Sequence, residues 1–186
     1  MNRNIKTILI KALAFFPMGI IFGWAFLLIS CEETNTNSYQ AKEIDYSRIE
    51  DYPGFIWFEP EFNIYFPDTS IVRQIKELYN PKQNKFFFYV SVTCICTKQQ
   101  VEFPRVAKAL SLANIPDSAF KVYSLNKPDY DYPYKSVLKI DSLPGIYIFR
   151  DSLPVYSVID SLRAGDSTQR IEKYVLEGLK KAAGIK

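Results

Sequence analysis

From residue 86 to residue 92 the chain is almost unbrokenly apolar, Phe-Phe-Phe-Tyr-Val-Ser-Val, between polar segments at 80–84 and 97–100. A short apolar run rich in aromatic and β-branched residues predicts a central strand covered on both faces. Apolar positions then recur at Val101, Phe103, Val106, Ala107 and Leu110, the spacing of a helix extending to about Asn114. The chain therefore passes from a buried strand through a tight turn into a helix. Cys94 and Cys96 stand in that turn.

Upstream, Asp68 or Thr69 is placed to N-cap a helix whose stripe is Ile71, Val72, Ile75, Leu78 and Tyr79, ended by Asn80-Pro81. Residues 51–66 hold Tyr52, Phe55, Trp57, Phe58, Phe62, Tyr65 and Phe66, punctuated by Pro53 and Pro60. The prolines predict edge strand and loop. The aromatics either cap the core or form a face for a partner. Downstream, residues 120–125 predict a strand, 126–135 a loop rich in Pro, Asp and Tyr, and 136–140 a short helix or extended piece. Gly145 to Phe149 predicts a strand after Pro144. Asp151-Ser152 predicts a hairpin turn, with the return strand over 155–159. Asp166 and Gln169 have capping-box spacing before a last helix with Ile171, Val175, Leu179 and Ala182 on one face, and Gly184 follows its end.

At the N-terminus, Arg3, Lys6 and Lys11 precede a long apolar stretch over 12–30 that ends Leu28-Ile29-Ser30-Cys31. A basic start, an apolar middle and a small residue before the cut predict a bacterial secretory signal. The last four residues resemble a lipobox. By that resemblance Cys31 is the lipidated first residue of the mature chain, held on a membrane by several acyl chains. The alternative is an uncleaved single-pass anchor, since the stretch is close to spanning length. Either way the remainder lies outside the cytoplasmic membrane, in the cell envelope on its periplasmic or surface face, where disulfides persist. Residues 32–48 are polar and predict a flexible tether. The domain organisation is thus a signal peptide over 1–30, a tether over 31–50 and one folded domain over 51–186.

Composition narrows the chemistry. The chain has no histidine, which excludes Ser-His and Cys-His catalysis and any His-containing zinc site. Two cysteines besides Cys31 are too few for a cysteine-based structural zinc centre. Of 23 basic residues three lie in the leader, so the remainder carries as many basic as acidic residues, 20. No basic surplus is left to attract phosphate backbones, and nucleic acid is not expected as a partner. Aromatics make up 16% of the chain, so large rings are expected to carry the packing.

A cysteine at a strand-to-helix turn has a stated chemistry. Free N–H groups and the dipole at the helix start favour thiolate over thiol and make the sulfur nucleophilic near neutral pH. A Cys94–Cys96 pair would close a small, strained, oxidising disulfide. Cys94 could equally be a small apolar residue at a strand end.

The order of elements resembles the thioredoxin fold over roughly residues 62–186. Pro104 lies eight residues beyond Cys96, as in the active-site helix of that family. Residues 122–126, Val-Tyr-Ser-Leu-Asn, look like its third strand, and residues 142–149, Ser-Leu-Pro-Gly-Ile-Tyr-Ile-Phe, like its cis-proline loop and next strand. The resemblance implies an α/β protein, a three-layer α/β/α sandwich around a central mixed sheet. It makes Cys96 the attacking cysteine and Leu143–Pro144 the backbone that holds a substrate strand. The family's C-x-x-C is broken, because Gln99 stands at the resolving position. Ile95 replaces a tryptophan, Val90 a buried acid, and Ser124 a lysine that often partners that acid.

Three functions follow as expectations. The first is a tethered thiol–disulfide oxidoreductase acting on protein thiols or disulfides, with Cys94 or an external thiol resolving, and needing no cofactor or metal. The second is a redox-inactive module that binds a peptide or protein. The third is a one-cysteine peroxidase, for which Thr93 is suitably placed but the Pro-x-x-x-Thr-x-x-Cys run is absent.

Overall fold

The computed structural model describes residues 40–93, 97–165 and 170–185. The chain divides between residues 38 and 39, and the described residues belong to the second part. The signal segment and Cys31 lie outside them.

The elements in order are strand β1 (Lys42–Ile44), 3-10 turns at Tyr46–Asp51 and Pro53–Phe55, helix α1 (Phe58–Ile64), helix α2 (Thr69–Leu78), strand β2 (Asn84–Val90), helix α3 (Thr97–Leu112), a 3-10 turn at Asp117–Ala119, strand β3 (Phe120–Ser124), strand β4 (Gly145–Arg150), strand β5 (Leu153–Ser157), helix α4 (Val158–Ala164) and helix α5 (Ile171–Ala182). The protein is α/β, with one five-stranded mixed sheet ordered β1-β3-β2-β4-β5. β2 runs parallel to β3 and antiparallel to β4, while β1 and β5 pair antiparallel at the edges.

β2 is central, and its side chains divide between two cores. Phe86, Phe88 and Val90 enter a core built with α1, α2, α3, α4 and α5, whereas Phe87 and Tyr89 enter a second core with Tyr123, Tyr132, Tyr147 and Phe149. Burial on both faces is what the continuous apolar run demands. α2 begins as its sequence predicts, with Asp68 accepting from the N–H groups of Ser70 at 2.8 Å and Ile71 at 3.4 Å. In the β4–β5 hairpin, Asp151 and Ser152 both have positive φ, 49° and 69°. That geometry suits the right-handed twist of the flanking strands.

Four expectations need correction. First, part of the supposed tether is folded. Lys42–Ile44 fills the free edge of β3 and buries Ile44, and a 3-10 turn follows at Tyr46–Asp51, with Ile49 buried. Second, residues 58–64 form a helix rather than an edge strand. Pro60 sits in its first turn, where no intrahelical N–H bond is lost, and Glu59 and Glu61 favour the positive end of the helix dipole. Phe58 and Phe62, one turn apart, stack at 5.6 Å. The aromatics of this stretch cap the core; only Phe66 among them is largely exposed.

Third, the return strand stops at Ser157, whose hydroxyl accepts from Asp160 N–H at 3.3 Å and donates to the Asp160 carboxylate at 2.6 Å, opening α4. Fourth, the layer over the second core is the turn-rich segment 126–144; residues 136–140, expected as a short helix or an extended piece, are turn and irregular chain, and no helix lies on that face among the described residues. Prolines and aspartates deny this segment a helical stripe, and tyrosine hydroxyls hold it instead. Tyr89 donates to the Pro133 carbonyl at 2.8 Å. Tyr132 donates to the Leu138 carbonyl at 3.0 Å and accepts from Ile140 N–H at 3.1 Å.

The C-terminal helix docks through a buried carboxylate. Glu172, fully buried, accepts from Asp68 N–H and Arg170 Nε, each at 2.7 Å, and from the Tyr65 hydroxyl. It thereby ties the start of α5 to the start of α2. Residues 166–169, read as a capping box, lie outside the described residues. α5 also approaches the sheet closely at Gly178, where a Cβ would fall 2.4 Å from Ile148 Cδ1.

Candidate functional site

Three chain segments meet at one end of the sheet. β2 ends at Val90 and leads into residues 91–97. Tyr89 lies opposite Gly145 across the β2–β4 ladder, so Pro144, the next residue back, borders the place where the chain leaves β2. The Leu143–Pro144 peptide is cis. β3 ends beside them, with Leu125 N–H donating to the Val90 carbonyl at 2.7 Å. Cys94, Ile95 and Cys96 lie outside the described residues; their flanks, Thr93 and Thr97, are placed.

The floor of this site is polar and tightly joined. Gln99, in the first turn of α3, is fully buried. Its Oε1 accepts from Ser91 N–H at 2.7 Å, and its Nε2 donates to the Ser91 carbonyl at 2.5 Å. The carboxamide thus acts as one more strand residue paired with the end of β2, satisfying two backbone groups that would otherwise be buried without partners. Position 99, where the resemblance places a resolving thiol, is held by a structural amide. Thr93 adds to the floor: its N–H donates to Ser91 Oγ at 3.3 Å, and its hydroxyl donates to Asn126 Oδ1 at 3.4 Å. Val90 is fully buried among apolar side chains and pairs with Ser124 on β3, so neither position carries a charge.

One turn beyond Gln99 stands Glu102, largely buried at 12% side-chain exposure. Burial pushes its carboxyl above the ordinary range, against the opposing pull of Arg163 and Lys98. Arg163 of α4 places one guanidinium nitrogen 3.5 Å from Glu102 Oε2. The other donates to the hydroxyl of Ser142, two residues before the cis-proline. Pro144 itself is buried, and Leu143 is half-buried against the second core. Pro104, inside α3 and buried, removes one i→i−4 bond from the helix without ending it.

Sequence reasoning singled out Leu143 and Pro144, and the structure sets Pro144 beside the end of β2, the strand that leads toward Cys94 and Cys96. Sequence reasoning missed Glu102, Ser142 and Arg163. Glu102 had a faint signal, a charge three residues after Gln99 on the face that carries Val106. Arg163 had none, since the expected return strand covered Val158 and Ile159 and no helix was expected to follow it.

Among the described residues no group of three or more cysteine, aspartate or glutamate side chains is arranged to hold a metal ion. No helix among them is long and apolar enough to cross a membrane. Comparison with known protein families, curated proteins and solved structures finds no match for this chain.

Proposed function

We propose that the chain is a thioredoxin-like protein of the cell envelope, anchored to a membrane through lipid on Cys31, that exchanges thiols and disulfides through Cys96. The observation that carries this reading is the cis Leu143–Pro144 peptide beside the end of β2, one residue before the partner of Tyr89, on the strand whose sequence continues to Cys94 and Cys96. The strand order, with parallel β2 and β3 joined through α3 and an antiparallel β4–β5 hairpin beyond, supports it.

The chemistry runs in two steps. The Cys96 thiolate attacks one sulfur of a substrate disulfide; that S–S bond breaks, a mixed disulfide forms, and the other substrate sulfur leaves as thiolate. Cys94 thiolate then attacks Cys96 Sγ, the mixed disulfide breaks, and the second substrate thiolate is released. The substrate gains two electrons and the protein is left with a Cys94–Cys96 disulfide. Alternatively an external thiolate attacks the substrate sulfur of the mixed disulfide; Cys96 leaves as thiolate, and the substrate sulfur is left in a disulfide with the external thiol. Gln99 supplies no thiol and Val90 no acid, so neither takes part in the exchange. The exchange requires no cofactor or metal. A substrate strand lies along the Leu143–Pro144 backbone.

The test is insulin-disulfide reduction by the purified chain and its Cys96→Ser variant. Loss of activity in the variant supports the reading; equal rates reject it. A second reading, a redox-inactive module that binds a protein or peptide, draws on Gln99 serving as a structural amide where a resolving cysteine would stand. Cysteines unreactive to a thiol reagent in the native protein would favour it.

A further inference from the structure

The bend that carries the cis-proline has few ties of its own. Among the described residues, residues 141–143 make no backbone–backbone hydrogen bond. The side chains of Lys139 and Asp141 form an ion pair at 2.7 Å, both well exposed. Tyr132 and Tyr147 hold the residues just before the bend, at Ile140 N–H and the Lys139 carbonyl, and the side chain that reaches the bend itself at Ser142 is Arg163. The base of α4 is firm, with Val158 and Ile159 fully buried and Ser157 capping the first turn. From that base the guanidinium spans to Ser142 on one side and toward Glu102 on α3 on the other. A planar guanidinium serves two partners at once in a way a single ammonium cannot.

We propose that Arg163 is a positioning residue that sets the Leu143–Pro144 backbone against the first turns of α3, and thereby sets how well a substrate strand fits beside Cys96. The proposal rests on the thiol-exchange reading. Arg163 does not touch the reacting sulfurs; it acts through Ser142 and Glu102. Removing it therefore weakens binding of an extended peptide and leaves the thiol's own reactivity alone.

The experiment compares the full-length chain with its Arg163→Ala and Arg163→Lys variants. Three quantities are read: kcat and KM for a peptide disulfide, the alkylation rate of Cys96 by iodoacetamide, and amide hydrogen exchange along the chain. KM is expected to rise about tenfold in Arg163→Ala, the scale of one lost charged hydrogen bond. kcat and alkylation should stay within about twofold, and exchange should quicken only at Ile140 and Gly145, the paired residues that flank the bend. Arg163→Lys should recover little of the lost affinity. Unchanged KM in Arg163→Ala, or exchange quickened evenly across the sheet, overturns the proposal. If that variant does not fold, Ser142→Ala removes only the receiving hydroxyl and reads the same KM. A wild-type chain that neither exchanges disulfides nor traps a substrate through Cys96 rejects the thiol reading, and this is seen before any variant is compared.

Discussion

Replacing Gln99 by glutamate exchanges one NH2 group for oxygen at a fully buried site, and the two bonds to Ser91 determine the outcome. A protonated carboxyl in place of the amide reproduces both: its carbonyl oxygen accepts from Ser91 N–H and its O–H donates to the Ser91 carbonyl. An ionised one cannot, because it sets a second acceptor against that carbonyl, now 2.5 Å from Nε2, with no cation among its partners. The folded variant therefore keeps its proton while the unfolded chain releases it near the ordinary glutamate value, about 4.3. A carboxyl raised in the fold contributes full stability below the unfolded value, and that stability is lost as pH rises toward the folded one.

From about pH 4.3 to pH 7 the deficit against wild type grows by about 1.4 kcal/mol per pH unit, to about 3.7 kcal/mol if the proton is held throughout. For a domain of this size that is a fall in Tm of roughly 10 °C at pH 7 and almost none at pH 4. Urea unfolding followed by circular dichroism at pH 4, 5.5 and 7 gives the curve directly. A deficit that is flat with pH, or smaller than about 0.5 kcal/mol at pH 7, would refute the account of Gln99 as a clamp on the end of β2.

Other perturbations test separate contacts. Glu102→Gln removes a carboxyl whose proton is held above the ordinary range by burial, so its stability advantage over wild type should be larger at pH 7 than at pH 4 in paired urea titrations; the opposite trend would contradict the assignment. Glu172→Ala strips the acceptor from Asp68 N–H, Arg170 and Tyr65 at a fully buried position and should cost about 3–5 kcal/mol, read as a fall in the urea midpoint at unchanged slope. Gly178→Ala drives a methyl group into Ile148 and Tyr156, at 2.4 and 2.8 Å, and should cost about 1–3 kcal/mol by thermal unfolding.

The parts of this protein legible from its sequence are those whose cause is local. The apolar run at 86–92 could be satisfied only by a strand buried on both faces. Asp68 before a helical stripe, and Asp151-Ser152 between two apolar strands, carry their own cap and turn chemistry. They place the cysteine-bearing turn and Pro144 in the order that suggested where the site lies. Tertiary structure decided whatever needs a partner from elsewhere. Lys42–Ile44 holds one buried apolar residue and is a strand only because β3 offers a free edge. The irregular segment 126–144 becomes a layer because Tyr89, Tyr132 and Tyr147 bind its carbonyls from the sheet and from within. Glu102, Ser142 and Arg163 come from a helix, a bend and a second helix, and no periodicity in a one-dimensional string encodes their meeting. Hydrogen bonds between such distant groups depend on how the layers pack, and only the folded chain brings donor and acceptor within reach.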